Sequence, residues 1–278
     1  HLAGNPALSC LEGDISDFTF PSGRFDYLIH AAAETSISVA DPLRVIDTEV
    51  AGFQNIFSFA SEAKISRVLF VSSGAVYGSK GEGGMVKEDS PCTLDSTDVD
   101  SRYGELKRFG ELYGAIWARQ FSSDIVFARS FSTFGPYQNL GGHFAITTFL
   151  RDALDGRDIV VQGDGLDQRS YLYAADLAIH LWRLLIRGRS CVPYNVGAVT
   201  AWAIADLAQV IADVAGTGSK VRVLGAQART PALAPRVYLP SVDRAHQELG
   251  LQELIGLEEG VRRTLRWLRR GELSETAK

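Results

Sequence analysis

Short apolar runs alternate with longer amphipathic segments along the whole chain, which predicts an α/β protein built on a mainly parallel sheet. Two observations carry this reading. Phe25-Asp26-Tyr27-Leu28-Ile29-His30 and Arg67-Val68-Leu69-Phe70-Val71 are strand-length apolar runs of the kind found in strands covered on both faces. Between them, from Pro42 to Ala63, Val45, Ile46, Phe53, Ile56, Phe57 and Ala60 recur at three- and four-residue steps, which is helical spacing.

In chain order, Cys10 to Ile15 reads as a short strand ending in a polar turn. The strands over 25–30 and 67–71 and the helix 42–63 follow. Residues 78–100 are rich in Gly, Ser, Asp and Pro and read as a loop over a site. A helix over about 102–120 carries Leu106, Phe109, Leu112, Tyr113 and Ile116 as its apolar stripe. Its glycines, Gly104, Gly110 and Gly114, cost roughly 1 kcal/mol each against alanine. They imply that something lies close to the helix backbone; Gly110 and Gly114 are read as a tight helix contact across a dimer. Further strands are expected at 124–129, 158–161, 194–197 and 221–223, with helices at about 143–155, 174–187, 203–215 and 256–270. The arginines of that last helix read as a solvated face.

The length of 278 residues suits one large α/β domain with a smaller lobe. A net charge of −5 disfavours a nucleic-acid binder. Cys10, Cys92 and Cys191 lie far apart, with no metal-ligand spacing, so no metal is expected and a reducing cytoplasm fits. No apolar run approaches the ~18 residues that span a bilayer. The chain opens His1-Leu2-Ala3 without an initiator Met, so these residues are expected to continue a longer product.

The candidate chemistry centres on Tyr103 and Lys107, four residues apart and so on one helix face. A nearby ammonium favours phenolate, and a phenolate can take a proton from an alcohol. In doubly wound sheets, ligands bind beyond the carboxyl ends of strands. Three segments end there with small or hydroxyl residues: Ala31-Ala32-Ala33, Ser72-Ser73-Gly74 and Ser130-Phe131-Ser132. A Ser73 hydroxyl holding the oxygen that Tyr103 deprotonates would complete an alcohol-oxidising trio, with a nicotinamide taking the hydride. There is no GxSxG, so Ser73 is not read as a hydrolase nucleophile.

Six segments in order carry a resemblance: His30-Ala31-Ala32-Ala33-Glu34; Val71 to Gly78; Tyr103 with Lys107; Ala128 to Pro136; Gly163 through Asp176; and Tyr194-Asn195-Val196-Gly197. On these the chain resembles an extended short-chain dehydrogenase/reductase of the sugar-nucleotide epimerase/dehydratase family. The resemblance implies a Rossmann-type doubly wound parallel sheet with a smaller C-terminal substrate-binding lobe. Residues 1–130, with about 161–188 and 203–217, would bind the dinucleotide; about 131–160, 189–202 and 218–278 would form the lobe. It implies NAD as cofactor, with NADP open, and Ser73, Tyr103 and Lys107 as catalytic residues. Asp14 and Ile15 would lie by the adenine, and Ala31, Ala32, Ala33, Ser72, Tyr103, Lys107, Ser130 and Phe131 along the cofactor. Ser73, Ser132, His143, Phe144, Arg169 and Arg236 would meet a nucleoside diphosphate sugar, with Arg169 on the diphosphate. A homodimer through a four-helix interface is also implied.

The chain departs from the family pattern in four places. The Gly-rich dinucleotide fingerprint is absent and would precede residue 1. Gly74 and Ala75 stand where the family's 4,6-dehydratases carry an Asp-Glu acid/base pair. Glu49 and Ser132 stand where the family has asparagines. The expected activity is therefore epimerisation through transient C4 oxidation. A dehydratase using another acid/base pair, a 4-keto-sugar reductase, and a non-catalytic nucleotide-sugar or dinucleotide sensor are the alternatives. Asp176 reads as a helix cap or structural acid, and His30 as a packed core histidine.

Overall fold

The computed structural model describes residues 5–35, 40–78, 84–141, 144–225 and 235–275, with side chains through residue 271. Its strands are β1 (Tyr27–His30), β2 (Arg67–Ser73), β3 (Met85–Val86), β4 (Asp124–Ser130), β5 (Thr133–Phe134), β6 (Ile159–Val161), β7 (Gln168–Arg169), β8 (Leu172–Tyr173), β9 (Pro193–Val196), β10 (Trp202–Ala203), β11 (Val221–Val223) and β12 (Val237–Pro240). Its helices are α1 (Pro42–Glu62), α2 (Arg102–Phe121), α3 (Ala145–Leu154), α4 (Ala174–Arg187), α5 (Ile204–Ala215), α6 (Asp243–Leu249) and α7 (Leu257–Glu275).

The central sheet runs β1-β2-β4-β9, and every pairing in it is parallel. Helices cover both faces. On one, α1 and α2 bury Phe53, Phe57 and Trp117 against Val68, Phe70, Ile125 and Phe127. On the other, α4 and α6 bury Leu184, Leu185, Ala245 and Leu249 against Leu69, Val126 and Tyr194. This is the doubly wound α/β arrangement, and it explains why the strands lack polar alternation.

A second core gathers α3, α5 and α7 around β6 and β11, with Phe149, Leu150, Ile159, Leu207, Ile211, Val261 and Leu265 at its centre. Helix α5, expected with the dinucleotide-binding unit, packs here instead, because Leu207, Ala208 and Ile211 form a stripe that meets α3 and α7. Conversely β9, expected in the lobe, is the fourth strand of the central sheet.

Three local expectations also change. Cys10 to Ile15 is not a strand: the Asp14 carboxylate accepts from the Ser16 amide at 2.9 Å and hydroxyl at 2.7 Å, which turns the chain. The loop 78–100 contains β3, which pairs with β12. Gly110 and Gly114 do not face a second copy. A Cβ on either would stand 2.4 Å from Phe70 or 2.5 Å from Ile125, so they let α2 lie close on its own sheet. The outer face of α2 is instead apolar and exposed at Phe109, Leu112, Ile116 and Phe121.

Candidate active site

Strand β2 ends at Ser73, and the chain turns at once into a single 3₁₀ turn, Gly74–Tyr77. The Ser73 hydroxyl caps that turn by accepting from the Ala75 amide at 3.1 Å. Above it passes α2. A Cβ on Gly104 would lie 2.5 Å from the Ala75 carbonyl, so glycine there lets the helix settle onto the turn. That approach brings Tyr103 and Lys107 to the end of β2. The Tyr103 phenol lies near the Ser73 hydroxyl, which acts to lower its pKa. The Lys107 ammonium donates to the Val71 carbonyl at 3.2 Å and lies over the Phe70 and Tyr103 rings, at 5.3 and 5.9 Å.

The electrostatics differ from the simple Tyr–Lys expectation. Burial pushes the Tyr103 phenol above its ordinary value; the Ser73 hydrogen bond lowers it, and the Glu49 carboxylate raises it further. Burial likewise pushes the Lys107 ammonium down, against the pull of Glu49. Lysine at i+4 therefore does not by itself make this phenol acidic. Glu49, from α1, is 9% exposed and accepts from the Glu34 amide at 2.8 Å, which ties the loop after β1 to the helix.

Side chains alternate along a strand, so Ser72 and Ser73 face opposite ways. The Ser72 hydroxyl is buried and donates to Glu111 at 2.6 Å. Glu111 is the hub of a buried network. It takes a two-pronged contact from Arg129 at 2.9 and 2.8 Å, and Arg129 also donates to the Tyr77 hydroxyl at 2.8 Å. Tyr77 donates to Asn195 at 2.8 Å, whose amide group donates to the carbonyls of Val86 and Ser241 at 2.8 and 3.0 Å. Asn195 of β9 thus ties the 3₁₀ turn to β3 and to the chain just after β12.

Asp14 is exposed and Ile15 half-buried. Ile15 is pinned to α1, where Asn55 donates to the carbonyls of Ile15 and Phe18, each at 3.0 Å. Ala31 and Ala32 are exposed and Ala33 is half-buried at the end of β1. Ser130 and Ser132 are half-buried and flank Phe131, which packs into a small cluster with Val76, Tyr77 and Tyr238. Arg169 is half-buried, with its guanidinium 5.4 Å over the Tyr238 ring. Phe144 is exposed before α3, and Arg236 is exposed before β12. His143 lies outside the described residues. Asp176 is a structural acid: it is buried and accepts from the Leu254 and Ile255 amides at 3.0 and 2.9 Å.

Tyr238 was not among the residues singled out by sequence. It sits on β12, whose position is fixed by pairing with β3 and β7. Its hydroxyl occupies the space that Gly74 leaves open, since a Cβ there would stand 2.3 Å from it.

The described residues fit the nicotinamide-ribose end of a dinucleotide. An ammonium carries three donors. Lys107 is 2% exposed and meets one hydrogen-bond acceptor among the described residues, which leaves two donors for a ribose diol. His30, at the end of β1, has a buried Nε2 without a hydrogen-bond partner among the described residues. No group of metal-ligating residues occurs among the described residues, and no described helix is long and apolar enough to cross a membrane.

Comparison with known proteins adds three findings. Residues 5–197 match the model of the NAD dependent epimerase/dehydratase family. Among curated proteins, the chain is 28% identical to a dTDP-glucose 4,6-dehydratase of Streptomyces niveus, covering 88% of this chain and 70% of that one. It is 27% identical to UDP-glucuronic acid decarboxylase 6 of Arabidopsis thaliana, covering 93% and 73%. Among solved structures, a dTDP-glucose 4,6-dehydratase double mutant from Streptomyces venezuelae with NAD bound superposes with a TM-score of 0.81 at 26% identity, covering 100% and 84%. The fold is also that of a UDP-glucose 4-epimerase from Thermotoga maritima, at a TM-score of 0.78 and 22% identity, covering 89% and 78%.

Proposed function

Because the chain belongs to the NAD-dependent epimerase/dehydratase family and is an enzyme of it, we propose that it epimerises a nucleoside diphosphate sugar through transient oxidation at C4. The observation that carries this reading is the meeting of Tyr103 and Ser73 beside a buried Lys107, with Gly74 and Ala75, which transfer no proton, in the next two positions. Tyr103 removes the proton from the C4 hydroxyl and later returns it. Ser73 hydrogen-bonds the same oxygen in both forms. Lys107 and the strand-end residues Ala31, Ala32, Ala33, Ser130 and Phe131 hold the cofactor, with Asp14 and Ile15 towards its adenine. When bound, NAD would supply hydride transfer and, in its oxidised form, a positive charge at the site. That charge would offset the burial that raises Tyr103.

Arg169, without a carboxylate partner among the described residues, holds the diphosphate; Ser132, Phe144 and Arg236 complete the substrate's surroundings. The substrate lobe is the part built on the second core, α3, α5, α7, β6 and β11. The exposed apolar residues of α2, beside α1, form a homodimer interface in which the two helices pack on their copies.

The test is a set of incubations with UDP- and dTDP-hexoses and catalytic NAD, followed by NMR. An epimerase yields the C4 epimer at constant mass, with no net consumption of cofactor, and Tyr103→Phe abolishes it. A product lighter by one water, release of carbon dioxide from UDP-glucuronate, or stoichiometric use of NAD(P)H would replace this reading with dehydration, decarboxylation or reduction. Full retention of the measured property in Tyr103→Phe would leave a sensor.

A further inference from the structure

The end of β2 is tied to one face of α2. The Val71 carbonyl accepts from Lys107 at 3.2 Å, and the Ser72 hydroxyl donates to Glu111 at 2.6 Å. Tyr103, Lys107 and Glu111 are spaced four apart, so Tyr103 is one turn further along the same face. Beside it, a Cβ on Gly104 would stand 2.5 Å from the Ala75 carbonyl, so the helix rests on the turn that follows Ser73. Gly110 and Gly114 let α2 lie close to the sheet, but apolar contact has no direction. The register of helix on strand is therefore set by polar bonds.

Arg129 is bonded to both sides of that register. It sits on β4, paired with Ser72 of β2. Its Nε and Nη2 donate to the two Glu111 oxygens at 2.9 and 2.8 Å, which holds the helix. Its Nη1 donates to the hydroxyl of Tyr77, the last residue of the 3₁₀ turn, at 2.8 Å and to the Glu88 carbonyl at 3.0 Å. Four of its five N–H groups are thus engaged within the protein, and its side chain is 14% exposed. A guanidinium is a planar fork, so its two arms are fixed relative to each other. An ammonium brings the same charge without that geometry.

We propose that Arg129 is a positioning residue for the reaction: it locks α2, which carries Tyr103 and Lys107, to the turn that opens at Ser73, and so sets how base and serine face one another. The assignment rests on the reading of Tyr103 and Ser73 as the groups that act on the C4 hydroxyl. It gives the buried Ser72–Glu111–Arg129–Tyr77 chain a task in turnover as well as in stability. A displacement of about 1 Å between reacting groups costs about a hundredfold in rate.

The experiment separates position from stability. Arg129→Lys keeps a cation beside Glu111 and removes the fork. Tyr77→Phe cuts the arm to the turn, leaves the Glu111 pair in place, and covers the case in which Arg129→Lys does not fold. Single turnovers are followed with enzyme in saturating excess over the nucleotide sugar, where an unfolded fraction lowers the amplitude and leaves the rate constant alone. Each variant should lower the rate constant by about tenfold to a hundredfold, with little change in KM or in NAD affinity. The two substitutions combined should cost little more than the larger of them, because both break one bridge. A crystal structure of either variant should show the Tyr103 oxygen moved relative to Ser73. A rate constant unchanged in the folded variants, or Tyr103 in its original place relative to Ser73, would overturn the proposal. The displacement is read without substrate, so finding it in a protein that turns over no nucleotide sugar would sink the functional reading alone.

Discussion

The Tyr238 hydroxyl stands where a side chain on Gly74 would begin: an ideal Cβ there would be 2.3 Å from it, and 2.8 Å from the Phe131 ring. A residue on β12 and a residue at the end of β2 thus compete for one volume. This relationship separates the present site from one built on an acid/base pair beside the serine.

Grafting that pair is therefore expected to fail. Gly74→Asp with Ala75→Glu should destabilise the protein by about 1–3 kcal/mol through overpacking, without producing a dehydrated sugar. Shortening Tyr238 to Ala in the same background should recover most of the stability. Thermal unfolding and product mass check both; a dehydrated product from the double substitution alone would contradict the steric argument.

Lys107 is expected to trade stability for function. Its ammonium is 2% exposed and pushed down by burial, so folding disfavours its charge. Lys107→Met should raise stability by roughly 1 kcal/mol while weakening NAD binding and abolishing turnover. Denaturant unfolding and NAD titration on one preparation test the pair of effects.

The Arg129–Glu111 contact lies in the opposite class. Both side chains are largely buried and joined by two hydrogen bonds, with Ser72 and Tyr77 attached. Removing one partner strands the other, so Glu111→Gln or Arg129→Met should cost about 3–5 kcal/mol. A loss below 1 kcal/mol by urea unfolding would show that the network is not held as described.

His30 makes stability depend on pH. It is 3% exposed, its rings pack on Phe53 and Phe70, and burial, with Lys107 nearby, pushes its pKa down to about 4. The folded protein therefore keeps His30 neutral where the unfolded chain, near 6.5, takes up a proton. The contribution is intact above pH 6.5 and is lost as pH falls towards 4, by up to about 3 kcal/mol. His30→Gln should flatten this part of the profile. The measurement is urea unfolding of both proteins at pH 7 and pH 4.5; equal losses would show that His30 is not the group responsible.

The exposed apolar face of α2 yields the last expectation. Leu112→Glu with Ile116→Glu should turn a dimer into a monomer by light scattering while leaving the circular dichroism unchanged. Those residues are 59% and 57% exposed, so the fold of the protomer does not need them.

Periodicity and motif made most of the framework readable before folding. The long apolar runs mark β1, β2 and β4, the three- and four-residue steps mark α1, α2 and α4, and the Tyr103–Lys107 spacing puts both side chains on one helical face. These are properties of neighbouring residues, and a linear chain displays them directly. Strands β7, β8, β10 and β12 escape such reading, because two to four residues carry no period and exist as strands through their pairing. Tyr238 escapes for the same reason: nothing near it in the chain says that it meets Gly74. The direction in which Tyr103 titrates was likewise hidden, since burial, the Ser73 bond and the Glu49 charge come from three separate elements. Spacing chooses which groups can share a face; desolvation and the approach of distant strands set how acidic those groups become.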